Sequence, residues 1–240
     1  MTAVKTLAGL IDFVYPRRCP ICHEIVAERG SLICPGCAGK TKHVTDPYCI
    51  RCGKPLRDSS KIRCSGCEGM DLFFKESRAV FVYDDILKNS IYKFKYGGRK
   101  EYACYYAEEI FSCLYTKIKT WNPEVIVPIP IHKSKLRKRG YNQTYLIAKR
   151  LSHLTGIPVD NQLLIRTKKT EIQKNLSGLE RSDNIKNAFK IGSNRVQYLS
   201  AMLIDDIYTT GATMNSSAKV LFDSGIRDIY CISLSIGYDV

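Results

Sequence analysis

The chain has 240 residues, 45% of them apolar and 25% charged, and Lys and Arg outnumber Asp and Glu by 37 to 23, a formal surplus of +14. That is a globular composition with room for one substantial domain and a smaller one, and no run approaches the length of a membrane span. The basic surplus points to a polyanionic partner, with solubility alone as the plain alternative.

In the opening segment Val4, Leu7, Ala8, Leu10, Ile11 and Val14 recur at helical spacing and predict a short amphipathic helix. Asp12 interrupts that run and no small-residue cleavage site precedes Cys19, which argues against a secretory leader and for a cytoplasmic protein. The helix is expected to pack on its own domain, with peripheral membrane association as the alternative.

Eight of the 11 cysteines then fall into four C-x-x-C knuckles, Cys19/Cys22, Cys34/Cys37, Cys49/Cys52 and Cys64/Cys67. The second pair of knuckles repeats the first at an offset of 30 residues, so the segment is a tandem duplication. Thiolates two residues apart grip one tetrahedral ion from a turn, and two such turns complete a four-sulfur site. A double zinc ribbon over residues 1–70 follows, with Cys19, Cys22, Cys34 and Cys37 as one site and Cys49, Cys52, Cys64 and Cys67 as the other. Cross-braced pairing fits the spacings equally. Both Zn²⁺ ions are expected to be structural, because sulfur fills every position, and eight bound thiolates would lower the charge surplus to about +10. With few large apolar residues between the knuckles, metal removal is expected to unfold this segment and spare the rest. His23 and His43 read as surface histidines, and Cys104, Cys113 and Cys231 as core thiols.

From residue 71 to 240 helix and strand patterns alternate, predicting a parallel α/β sheet flanked by helices. Strands are expected at 78–83, 125–128, 201–204 and 228–234, an extended stretch at 157–165, and helices at 86–96, 101–119, 140–154 and 210–223. Three patches between them suit anions. In Tyr92–Lys100, the cations Lys93, Lys95, Arg99 and Lys100 interleave with aromatic rings, as in proteins that track phosphates and stack bases of a single strand; a helix with core aromatics and solvated lysines fits as well. In Val127–Gln143, a strand leaves through two prolines into a cationic loop with His132, Lys133, Lys135, Arg137, Lys138 and Arg139, suited to a pyrophosphate leaving group. Gly140–Gln143 then opens a helix, a further anion site. Arg166–Phe189, with Lys168, Lys169, Gln173, Arg181, Asn184 and Asn187, has weak periodicity and reads as a mobile flap able to close over substrate.

The stretch Ala201–Thr213, AMLIDDIYTTGAT, organises this half. Its apolar run fits a buried strand; Asp205 and Asp206 would leave at the carboxyl end, where open α/β sheets bind ligands. Thr209, Thr210, Gly211, Ala212 and Thr213 then combine hydroxyls, a small flexible backbone and a helix N-terminus, which suits a phosphate. Acceptor-only carboxylates suit the vicinal hydroxyls of a sugar phosphate and help order hydrated Mg²⁺. The stretch resembles the phosphoribosyl pyrophosphate (PRPP) signature of type I phosphoribosyltransferases over its whole length.

Taken together with the elements before it, the chain resembles the ComF family, competence-associated phosphoribosyltransferase-like proteins, over nearly its full length. The residues that carry this are Tyr15–Cys19, the knuckles, Lys93, Phe94 and Arg99, Val127–Pro130, Arg137–Gln143, then Arg166, Gln173, Leu176, Arg181 and Asn184, and the PRPP signature. Tyr141 stands where Phe is more usual and keeps the ring. The resemblance implies a type I phosphoribosyltransferase fold and a role in natural transformation, handling single-stranded DNA that arrives in the cytoplasm. It further implies that Asp205 and Asp206, the catalytic pair, hold the ribose hydroxyls of PRPP, that Thr209–Thr213 hold its 5′-phosphate, and that Mg²⁺ bridges ribose and pyrophosphate. The acceptor is left open. Partners expected on this basis are PRPP, single-stranded DNA and a competence helicase or other DNA-uptake proteins. Two readings result: an enzyme that transfers the phosphoribosyl group and releases pyrophosphate, or a non-catalytic single-stranded DNA-binding accessory factor regulated by PRPP.

Overall fold

The computed structural model describes residues 16–28, 30–167, 188–192 and 197–238. The expected opening helix and most of the flap, including Lys168, Lys169, Gln173, Arg181, Asn184 and Asn187, lie outside the described residues.

Four strands form a parallel sheet: β1 (Glu76–Val82), β2 (Val125–Pro128), β5 (Ser200–Tyr208) and β6 (Asp228–Ile236), in the order β1-β6-β5-β2. Their interiors are nearly continuous apolar runs, as strands covered on both faces require. Alternate residues serve opposite faces. Met202 and Ile204 join Phe81, Ile110, Ile147 and Leu151 in one core, while Ala201 and Leu203 join Met214 and Leu221 in the other. Helices α1 (Asp85–Tyr96), α2 (Tyr102–Trp121) and α4 (Gln143–Thr155) cover the first face. The second is covered by α5 (Ala212–Asp223) together with the second pair of knuckles: Cys49, Cys52, Cys64 and Cys67 belong to the same buried cluster as Ala201, Leu203 and Met214.

That packing corrects one expectation. The second knuckle pair helps enclose the sheet, so loss of its metal is expected to reach beyond the ribbon segment. The ribbon also finishes the sheet sideways. Residues 42–44 run antiparallel along the free edge of β1, with Val44 N–H donating to Val80 O (2.8 Å), Val82 N–H to Lys42 O (2.8 Å) and, further along, Ser77 N–H to Arg51 O (2.7 Å). An edge that would otherwise offer unpaired amides and carbonyls is thereby closed. At the opposite edge Val159 bridges Ile126 of β2.

The four strands of the parallel sheet and the helices expected between residues 86 and 223 appear within a few residues of their expected bounds, while the extended stretch 157–165 holds a single bridge at Val159 before a short strand. Two elements were not foreseen. Lys133–Arg139, read as a loop, forms the short helix α3, and β3 (Leu164–Arg166) pairs antiparallel with β4 (Phe189–Ile191) across the flap. A second correction concerns the thiols: only Cys231 is buried, Cys104 is half-buried and Cys113 is exposed. On α2 the inward stripe is Ile110, Leu114, Ile118 and Trp121, which turns Cys113 outward. No helix among the described residues is long and apolar enough to cross a membrane.

Candidate functional site

Strand β5 continues through the two acids to Tyr208, so Asp205 and Asp206 sit within its carboxyl-terminal part and do not follow it. Asp206 points into the α1/α4 side, where its Oδ2 accepts from Lys95 Nζ at 2.8 Å and from Gln143 Nε2 at 2.6 Å. Asp205 Oδ1 accepts the Asp206 N–H at 2.8 Å. Burial, then the neighbouring Asp206 charge, push the Asp205 carboxyl up to about 7, against the opposing pull of that N–H, Lys95 and Arg166.

The residues around Asp206 are set by one short stretch. Gly140 ends α3 in the left-handed region (φ +80). Tyr141 donates its hydroxyl to Phe94 O, tying the start of α4 to α1. Asn142 caps α4 through Thr144 N–H (3.2 Å) and donates to Ile129 O (3.1 Å) just beyond β2. Gln143, buried, receives Arg139 on its Oε1 and so presents its Nε2 to Asp206. The stretch expected to offer an anion site at a helix N-terminus also fixes the geometry around Asp206.

Cations crowd the mouth of this site. Lys95, Lys135, Lys138 and Arg139 line a cleft of about 720 Å³ with Tyr92, Tyr96 and Gly98. The pKa of Lys135 is lowered by burial first and then by Arg166, Arg139 and Lys95, with Asp206 acting in the other direction. That of Arg166 is lowered by burial while Asp205 counters it. Three cations, Lys95, Lys135 and Arg166, thus act on two carboxylates, an imbalance that an anionic ligand relieves.

Of the cations expected to hold pyrophosphate, Lys135, Lys138 and Arg139 line the cleft. His132 caps α3, its Nδ1 accepting from Ser134 N–H (3.2 Å), and Lys133 and Arg137 are exposed on that helix. Of the basic patch at the end of α1 and in the turn after it, Lys95 faces the acids, Lys93 and Arg99 act on His23 of the first knuckle, and Lys100 lies over the Tyr141 ring. His23 is half-buried, its Nδ1 2.9 Å from the Tyr102 hydroxyl. Gln143 is the addition to the site as a partner of Asp206; it lies in the patch visible in sequence, where nothing marks which of its side chains turn inward.

After Tyr208 the chain passes through exposed Thr209 and Thr210 into Gly211, whose φ of +80 favours glycine. A Cβ there would also collide with the Tyr208 hydroxyl. Helix α5 begins at Ala212 with no side-chain cap; the nearest approach is Ala212 N–H to Thr210 Oγ1 at 3.4 Å. Its first turn carries no side-chain cap, and Thr209 and Thr210 beside it are exposed, an arrangement suited to an anion. Tyr208 itself is buried against the second four-cysteine cluster, and from the first turns of α5 the Asn215 side chain grips the linker behind it, accepting from Phe73 N–H (2.8 Å) and donating to Asp71 O (3.0 Å).

The cysteines gather as two sets of four, Cys19–Cys22–Cys34–Cys37 and Cys49–Cys52–Cys64–Cys67, each with all sulfurs within 4.8 Å of one another. This selects sequential over cross-braced pairing. Sulfurs around a tetrahedral Zn²⁺ at about 2.3 Å stand about 3.8 Å apart, and the Cys22–Cys34 and Cys52–Cys64 pairs are at 3.5 Å. Two Cys₄ zinc-binding sites result, both closed to substrate.

Over 202 residues the chain is 32% identical to the competence protein ComFC of Bacillus subtilis, covering 80% of this chain and 79% of that protein. The chain belongs to the ComF family. A second ComF relative, competence protein F of Haemophilus influenzae, is 30% identical over 88% of this chain and 93% of its own length. The DNA utilization protein YhgH of Escherichia coli is 28% identical over 90% of this chain and 96% of its own. Residues 10–68 match the double zinc ribbon domain. Among solved structures, a purine phosphoribosyltransferase from Pyrococcus horikoshii covers 55% of this ComF chain and 74% of its own, at 18% identity and a TM-score of 0.35. An adenine phosphoribosyltransferase from Leishmania tarentolae covers 54% and 71%, at 16% identity and a TM-score of 0.33.

Proposed function

We propose that this chain binds PRPP with Mg²⁺ at the end of β5 and transfers its phosphoribosyl group to an acceptor with release of pyrophosphate, in the handling of DNA taken up by the cell. The carrying observation is the juxtaposition of an acid pair, an uncapped threonine–glycine turn and a surplus of inward cations at one end of a parallel sheet. Asp205 and Asp206 accept from the ribose hydroxyls, while Thr209, Thr210 and Thr213 with the first amides of α5 hold the 5′-phosphate. Lys135, Lys138 and Arg139 face the pyrophosphate. As the bond from C1′ to the pyrophosphate oxygen breaks, its electrons leave on that oxygen, and these cations stabilise the charge while the acceptor's lone pair closes on C1′. Bound Mg²⁺ would supply further charge compensation, for which the two carboxylates are suitable oxygen ligands, directly or through water. The biological setting is supported by relatives named as competence and DNA utilization proteins.

Calorimetric titration with PRPP in the presence and absence of Mg²⁺ tests the binding, and pyrophosphate release with nucleobases and nucleic acids as acceptors tests the transfer. Magnesium-dependent heat that disappears in Asp205→Asn/Asp206→Asn is expected; no heat in the wild-type chain refutes the site.

One observation favours a second reading, a PRPP-regulated accessory factor that binds single-stranded DNA without catalysis. Tyr92 and Tyr96 are 61% and 53% exposed, and they stand in the cleft among Lys95, Lys138 and Arg139. Rings beside cations suit stacked bases and their phosphates. In this reading single-strand affinity falls steeply with salt and drops about thirtyfold or more in Tyr92→Ala/Tyr96→Ala, from the loss of two stacked bases at roughly 1 kcal/mol or more each. Affinity flat in salt rejects it.

A further inference from the structure

Outside the two Cys₄ clusters, one more group of metal-ligating side chains converges among the described residues: His43, Glu109 and Cys113, each offering an atom within 4.8 Å of the others. They come from two parts of the fold. His43 sits in the ribbon segment paired on the free edge of β1, its ring packed on Phe81 at 4.9 Å. Glu109 and Cys113 are four residues apart on α2 and share one face of it. His43 Nε2 is already 2.7 Å from Glu109 Oε2, and both His43 and Cys113 are open to solvent.

We propose that His43, Glu109 and Cys113 form a third metal site, selective for Zn²⁺ or a similar transition ion, with water in the fourth position. The donor set decides the class. Imidazole, thiolate and carboxylate together suit zinc, whereas Mg²⁺ and Ca²⁺ take oxygen. Donors around tetrahedral zinc stand about 3.3–3.8 Å apart, so closure requires small side-chain movements and no rearrangement of the backbone. On binding, the Cys113 thiol releases its proton to solvent, and His43 carries its ring proton on Nδ1 so that the Nε2 lone pair meets the ion. Three ligands at an exposed position hold metal less tightly than four buried sulfurs, so this ion exchanges while the other two stay. It joins the ribbon to α2, making the seat of the ribbon responsive to free zinc and to oxidation of Cys113.

The test is metal content of the full chain after dialysis against zinc, followed by a mild chelator. Three equivalents are expected in the wild type, one of them removed by the chelator, and two in Cys113→Ala and in His43→Gln. The two retained equivalents report that the variants are folded. With the Cys₄ sites filled by zinc, Co²⁺ added to the wild type should occupy the third site and give a thiolate-to-cobalt absorption band that Cys113→Ala lacks. Two equivalents in the wild type, or a third that survives both substitutions, overturns the proposal. Should the variants lose the tightly held zinc as well, the cobalt band of the wild type decides, and its absence overturns the proposal.

Discussion

Replacing Lys95 by Met keeps an apolar stem of similar length and deletes one charge. In the wild type its Nζ is 2.8 Å from Asp206 Oδ2, and the two side chains are 18% and 8% exposed, so the pair is shielded from most screening. Removing one partner of a buried pair costs about 3–5 kcal/mol, because the other charge is left without compensation. Gln143 remains on Asp206 at 2.6 Å and offsets part of that loss, so the expected destabilisation is about 2–3 kcal/mol. For a chain of this size, that corresponds to a fall in Tm of roughly 5–10 °C. Adding Asp206→Asn removes the stranded charge, and the double variant should recover most of the loss, a coupling of about 2 kcal/mol. Thermal unfolding of the wild type, both single variants and the double variant at neutral pH, all zinc-saturated, measures it. If Lys95→Met and the double variant melt together, the pair does not carry the energy assigned to it.

Asp205, lifted from an ordinary 3.8 to about 7, makes the folded chain bind more protons than the unfolded one between those values; stability should therefore decline as pH rises through that window. Urea unfolding at pH 5 and pH 8 checks this, and Asp205→Asn should flatten the difference. By the same sign, binding of PRPP with Mg²⁺, which favours the ionised acid, should strengthen as pH rises toward 7 and release a proton, visible as buffer-dependent heat. Gly211→Ala meets both an unfavourable φ and the Tyr208 hydroxyl, and should cost about 1–3 kcal/mol and weaken PRPP binding at least tenfold; calorimetry and melting read the two effects separately. Cys52→Ser should lower the melting transition reported by the single tryptophan, Trp121, which stacks on Tyr230 of β6 at 5.0 Å; an unmoved transition would mean that the second zinc site does not support the sheet.

The parts legible in sequence were those in which a local pattern carries the chemistry. Knuckle spacing marked the zinc ligands, and DDIYTTGAT marked the turn at the sheet end. What sequence could not reveal depends on which way a side chain turns. Lys93 and Lys95 look equivalent in an alternating run, but on a helix they lie about 200° apart, so one meets the ribbon and the other meets Asp206. Gln143 gives no sign in sequence that it is buried; Tyr141 and Asn142 decide that through contacts with α1 and with the residue after β2. Cys113 read as core because α2 is rich in apolar residues, though its offset from the Ile110–Leu114–Ile118 stripe was available. α3 escaped notice because KSKLRKR has no apolar repeat, and capping by His132 and Gly140 defines it instead.

The ribbon segment 42–44, laid along the outer margin of β1, bears on how this protein can be cut. A fragment starting at residue 71 would keep every PRPP-signature residue yet bare the carbonyl of Val80 and the amides of Ser77 and Val82. Two such fragments can satisfy one another strand to strand, so the shortened protein is expected to self-associate, and assays of the sheet-bearing half belong on the uncut chain.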